Sequence, residues 1–257
     1  MHKEKTMRKK IVAGNWKMHK SYEQGISLAS EVINMVKDEV HGSVEAILAV
    51  PFIHLASVAK LAGGKVVVAA QDCHIMKEGA YTGDISAEMV ASTGAKYVLV
   101  GHSERREYHN EQAPTLYKKI LAAQAAGLTP IFCCGETKDI REAGTQNTFV
   151  GAQLQDALFA LSESEIKNLV IAYEPVWAIG TGLTATPEMA QDMHAVIRQK
   201  IAGQYGAAIA EDMSILYGGS VKAANAQSLF SQPDIDGGLV GGASLQSREF
   251  VEIVKAI

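Results

Sequence analysis

The sequence has little cysteine, no long apolar run and no large surplus of charge of one sign. Its three cysteines, Cys73, Cys133 and Cys134, are odd in number, and two of them are adjacent within an apolar stretch. That argues against a secreted disulfide framework and for a reducing compartment, so a cytoplasmic location is expected. No Cys-x-x-Cys pair and no Cys/His spacing of a zinc site occurs, so no metal is expected. No stretch approaches the ~18 apolar residues of a membrane span. The charged segment 1–10 lacks the apolar centre of a signal peptide. A net charge of −4 provides no basic face for nucleic acid. It does not attract an anionic substrate either, so any phosphate has to be gripped locally.

What is present is a rhythm. In 257 residues, 47% of them hydrophobic, short β-branched runs alternate with longer segments of helical period. The runs cover 11–13, 46–50, 66–69, 97–100, 130–133, 169–173, 214–217 and 238–240. They lack polar alternation, which fits strands buried on both faces of a parallel sheet. Helix starts lie between them. Ser21 with Gln24 makes a capping box, Thr186 precedes Pro187, and Ser247 precedes the apolar set Phe250, Val251 and Val254. No Pro- or Ser-rich linker divides the chain. Residues 1–6 are expected to be a loose extension and 7–257 a single α/β domain, a (β/α)8 barrel. A doubly wound open sheet is the alternative.

In such barrels the active site lies at the C-terminal ends of the strands. Asn15 and Lys17 follow the first run, His102, Ser103 and Glu104 the fourth, and Glu174 and Pro175 the sixth. Gly218, Gly219 and Ser220 follow the seventh, Gly241 and Gly242 the eighth. Burial is expected to raise the pKa of Glu174 towards the range useful in a base, although a structural ion-paired carboxylate reads equally well from position alone. His102 opens a helical segment, whose partial positive charge is expected to keep its imidazole neutral. A core histidine is the plainer reading. Lys17 suits an oxyanion or a phosphate, or simply faces solvent. Two glycine turns at the ends of strands seven and eight suit a phosphate cradle. The segment Pro175, Val176, Trp177, Ala178, Ile179, Gly180, Thr181, Gly182 and Leu183 is apolar where a polar loop would be ordinary. It suits a lid that excludes water, or a loop packed permanently on the barrel.

The residues just named carry a resemblance to the triosephosphate isomerase family. It runs from about Met7 to Ile257. Its anchors are Ala13-Gly14-Asn15-Trp16-Lys17-Met18, Gly101-His102-Ser103-Glu104-Arg105-Arg106, Ala172 through Gly182, Tyr217-Gly218-Gly219-Ser220-Val221 and Leu239-Val240-Gly241-Gly242-Ala243-Ser244. The resemblance implies interconversion of dihydroxyacetone phosphate and glyceraldehyde 3-phosphate, in a family that is a standard instance of pKa tuning and lid closure. It implies Glu174 as the base, His102 as a neutral electrophile, and Lys17 and Asn15 as the polar groups facing the developing charge. Ser103 and Glu104 would support them. Gly180, Ser220, Gly241 and Gly242 would hold the phosphate. No cofactor is implied. A homodimer is, with Thr82 on a long third loop reaching the partner's site.

The chain departs from the family pattern at Leu183, where lysine is frequent, and at Asp72, where asparagine is. It departs again at Gly238 and Cys134, where larger or aliphatic residues are common. A different phosphate-binding barrel, such as one acting on indole glycerol phosphate, shares the glycine turns but not the Glu174 lid segment. A non-catalytic barrel that binds a surface partner fits poorly with an intact set of Asn15, Lys17, His102 and Glu174.

Overall fold

The computed structural model describes residues 8–180 and 183–257. The extension expected over 1–6, and Thr181 and Gly182 of the expected lid, lie outside the described residues. Among those residues, eight strands follow one another around a closed, parallel barrel in sequence order. They are β1 (Ile11–Asn15), β2 (Glu45–Val50), β3 (Val66–Ala70), β4 (Tyr97–Val100), β5 (Thr129–Cys134), β6 (Val170–Tyr173), β7 (Ile215–Tyr217) and β8 (Gly237–Val240). Closure comes from pairing of β1 with β8, Ile11 opposite Gly237 and Gly14 opposite Val240. The open-sheet alternative is thereby set aside.

Strand period sorts the core into two layers. Ile11, Ala13, Ile47, Ala49, Leu99, Ile131 and Ala172 fill the barrel interior. Their neighbours Val12, Leu48, Val98, Val100, Phe132 and Ile171 face outward onto the helices. Both faces are dry, which is why the strand sequences show no polar alternation.

The helix starts follow their local chemistry. The helix Tyr22–Glu39 begins after Ser21, whose backbone N–H donates to Gln24 Oε1 at 3.0 Å. Thr186 caps the helix Pro187–Tyr205, its hydroxyl accepting from the Met189 N–H at 3.2 Å. Ser247 is the first residue of the last helix, Ser247–Lys255, with Gln246 before it as the cap. Glycine at 238 serves close packing: a Cβ there would stand 3.0 Å from the Phe230 ring, which closes against β8.

Candidate active site

One rim of the barrel opens into a cavity of about 570 Å³. Its wall includes Asn15, Lys17, His102, Glu174, Ile179, Gly180, Ser220, Gly241 and Gly242. The strand-end rule thus brings together residues that stand as far apart as 15 and 242 in the sequence. Asn15 ends β1, Glu174 follows β6, and His102 sits two residues past β4 as the cap of the short helix Ser103–Tyr108.

Glu174 is 2% exposed. Its Oε1 stands 2.9 Å from His102 Nε2, and its Oε2 accepts the Ser103 backbone N–H at 3.0 Å. His102 Nδ1 accepts the Glu104 backbone N–H at 3.3 Å, which leaves Nε2 as the nitrogen that carries a proton towards Glu174. Lys17 Nζ lies 2.5 Å from Glu104 Oε1. The Lys17 backbone is held in the left-handed region, φ 52°, by its N–H to Asn15 Oδ1 at 2.9 Å. Ser103 and Glu104 therefore touch the groups they were expected to support.

The two pKa expectations are reversed in the structure. Burial pushes the Glu174 carboxyl up, but facing His102, the Ser103 N–H and Lys17 together hold it below the ordinary glutamate value. Burial pulls His102 down, but the Glu174 carboxylate beside it carries the imidazole above the ordinary histidine value. In the sequence each group stands alone. The structure makes them partners, and the partner outweighs the burial of each.

The lid segment is described as far as Gly180 and again from Leu183. Val176–Ala178 form a short 3-10 turn, with Pro175 and Ala178 buried. The Val176 N–H donates to the Glu136 carbonyl at 3.0 Å, and Trp177 Nε1 donates to Glu136 Oε1 at 2.9 Å. Gly180 adopts φ 70° at the cavity edge, and Leu183 is about half exposed. Thr82 sits on an exposed turn of the loop after β3 and does not line this cavity.

Three supporting groups escaped the sequence reading. Gln71 uses one amide nitrogen to reach Asn15 Oδ1 at 3.3 Å, the Lys17 carbonyl at 2.9 Å and the Ala49 carbonyl at 3.1 Å. Glu136 anchors the start of the lid. Glu111 ties Arg105 at 2.7 Å to Lys119 at 2.6 Å. Asp72, a departure from the family pattern, joins this cluster at 2.8 Å from Arg105 and 2.5 Å from Lys119. Gln71 and Glu136 both lie just past strand ends, so the same rule applied after β3 and β5 would have found them.

Comparison with known proteins places this geometry. A family model described as triosephosphate isomerase matches residues 10–257. A protein of Cytophaga hutchinsonii named triosephosphate isomerase is 56% identical over 250 residues, 97% of this chain and 100% of that protein. Proteins of the same name from Porphyromonas gingivalis and Bacteroides fragilis are each 53% identical over 251 residues, 97% of this chain and at least 99% of theirs.

Proposed function

The chain belongs to the triosephosphate isomerase family, and from that premise we propose how its own residues interconvert dihydroxyacetone phosphate and glyceraldehyde 3-phosphate. The observation that carries the reading is Glu174: a buried carboxylate on the cavity wall, facing the Nε2 of His102, with Lys17 lining the same space.

Substrate enters with its phosphate against the backbone of Gly180, Ser220, Gly241 and Gly242. Glu174 exchanges His102 for the carbon acid. Losing the His102 N–H while staying dry makes the carboxylate more basic than it is beside the imidazole. It takes the proton from C1 of dihydroxyacetone phosphate, and the electron pair moves onto the C2 oxygen to give an enediolate. The His102 Nε2–H and the Lys17 ammonium face that charge, with Asn15 beside them. His102, freed from Glu174, is held neutral by the N–H of Glu104 at Nδ1, so it can pass a proton between the two oxygens. Glu174 then returns its proton to C2, giving glyceraldehyde 3-phosphate. The lid from Pro175 to Leu183 keeps water from the enediolate.

No helix among the described residues is long and apolar enough to cross a membrane. A homodimer in the cytoplasm completes the reading. Its support is a run of exposed apolar side chains on the segments that follow four neighbouring strands, Met18 after β1, Ile53 after β2, Met76 and Tyr81 after β3, and Tyr108 after β4. One side of the rim is thus apolar, the mark of a covered surface. Thr82 lies within this run. Light scattering at micromolar concentration should give twice the chain mass; the mass of one chain refutes the dimer.

Purified protein should convert glyceraldehyde 3-phosphate to dihydroxyacetone phosphate in the presence of a chelator, and Glu174→Gln should lose ~10²–10⁴-fold in rate while keeping its fold. Full activity in the folded variant refutes the assignment of the base.

A further inference from the structure

Lys17 reaches the cavity from an unusual piece of backbone. The loop between β1 and the helix Tyr22–Glu39 contains two non-glycine residues in the left-handed region, Lys17 at φ 52° and Lys20 at φ 74°. Such residues persist where neighbouring contacts leave the chain no alternative. At the Lys17 end those contacts are Asn15, Gln71 and Glu104. At the Lys20 end the contact is His54. This fully buried imidazole, on the short 3-10 turn Phe52–His54 after β2, stands with Nε2 3.3 Å from the Lys20 carbonyl. A carbonyl only accepts, so Nε2 bears the proton.

The ring itself is fixed from three sides. Trp16 meets it edge-on at 5.8 Å and Tyr22 stacks on it at 6.2 Å between centroids. On the third side lies Gly25, where a Cβ would come to 2.4 Å from the imidazole Cε1. Tyr22 is tied in turn to Ser57 at 2.7 Å. The contacts thus run from β2 through His54 to one end of a six-residue loop, Trp16 to Ser21, with Lys17 near the other end. A ring needed only to fill space requires no donor. Here the donor meets the carbonyl of the second left-handed residue itself, Lys20.

We propose that His54 is a positioning residue, whose clamped imidazole holds the Lys20 carbonyl and thereby sets where the Lys17 ammonium stands in the cavity. The proposal rests on Lys17 being the cation that meets substrate. It adds to that reading a residue outside the cavity wall which acts only through the loop.

Two substitutions separate the donor from the ring. His54→Phe keeps a flat ring and removes the N–H. His54→Gln places an amide N–H₂ the same number of bonds from the backbone as Nε2. Inorganic phosphate, as a competitive inhibitor, reads the position of Lys17 without the chemical step. His54→Phe should lower kcat/KM about three- to tenfold and weaken phosphate inhibition by a similar factor, as for the loss of one hydrogen bond. His54→Gln should recover most of both. In a Lys17→Ala background, His54→Phe should change neither quantity, because the two act as one unit. Gly25→Ala, which improves helix propensity but displaces the ring, should reproduce the His54→Phe loss if His54→Phe does not fold. Unchanged phosphate inhibition in His54→Phe overturns the proposal, as does an equal loss in the Lys17→Ala background. Lys17→Ala with normal kcat/KM and normal phosphate inhibition overturns the role of Lys17 itself, in a variant that leaves His54 untouched.

Discussion

Buried charge stands at both ends of this barrel, and the two ends use it differently. At the N-terminal rim, Asp236 just before β8 is fully buried. It is met by Arg8 at 2.7 Å and Arg198 at 2.9 Å, and it accepts the Ile215 N–H at 3.1 Å. Arg198 also donates to Asp234 at 2.6 Å and to the Ala210 and Met213 carbonyls at 2.5 and 2.9 Å. These partners are all permanent parts of the chain. At the C-terminal rim, Glu174 and His102 are as deeply buried and as closely paired, but they line a cavity. Burial and a charged partner therefore do not mark a catalytic group. In the proposed mechanism, what marks it is that a substrate entering the cavity replaces the partner.

The two ends separate most sharply under two charge removals. Glu174→Gln should cost ~10²–10⁴ in kcat/KM, with the far-ultraviolet circular dichroism of the native fold retained. Arg198→Met should do the reverse. It should lose about 3–5 kcal/mol of stability in urea unfolding, because Asp234, Asp236 and the Ala210 and Met213 carbonyls all lose a buried donor at once, while kcat per folded molecule stays unchanged. If Arg198→Met impairs turnover at full folding, the division between the ends fails.

A pH experiment sharpens it further. Glu174 is held below its ordinary value of 4.5, so its pairing stabilises the fold above that pH and is lost as pH falls through the folded value. His102 is held above its ordinary value of 6.5, so its pairing stabilises below that pH and is lost as pH rises through the folded value. Both contributions are present together between 4.5 and 6.5. The melting-temperature difference between wild type and His102→Gln should therefore peak in that window and shrink on either side. Carbon NMR of Glu174 should show its titration moving upward in His102→Gln, because burial then acts with less opposition. A downward move would contradict the pairing.

The smallest effect concerns the helix that joins the two ends. Thr186 caps it near the lid, and Arg198 lies further along it. Thr186→Ala should cost about 1 kcal/mol in thermal unfolding and leave the shape of the pH–rate profile unaltered.

The barrel was legible in the sequence because its determinants are local. β4 matches its apolar run residue for residue, and the other strands differ from theirs by a residue or two at the ends. Asn15, Lys17, His102 and Glu174 were legible because strand ends converge on one rim in this fold. The pairing of His102 with Glu174 was not, since it joins residues 72 positions apart and no local pattern encodes it. The same holds for Asp72, Arg105, Glu111 and Lys119. Their charges look like ordinary surface residues until the fold encloses them. Gly238 reads as a bare departure from the family pattern until Phe230 is seen packed against it.

The central claim is that the carboxylate of Glu174 carries the proton between adjacent carbons. Proton NMR in D₂O tests it directly, by following glyceraldehyde 3-phosphate as it is converted. The wild-type protein should yield dihydroxyacetone phosphate with deuterium at C1, as the proton held on Glu174 exchanges with solvent. Folded Glu174→Gln should yield ~10²–10⁴-fold less in the same time. Deuterium incorporation by Glu174→Gln at the wild-type rate would contradict it.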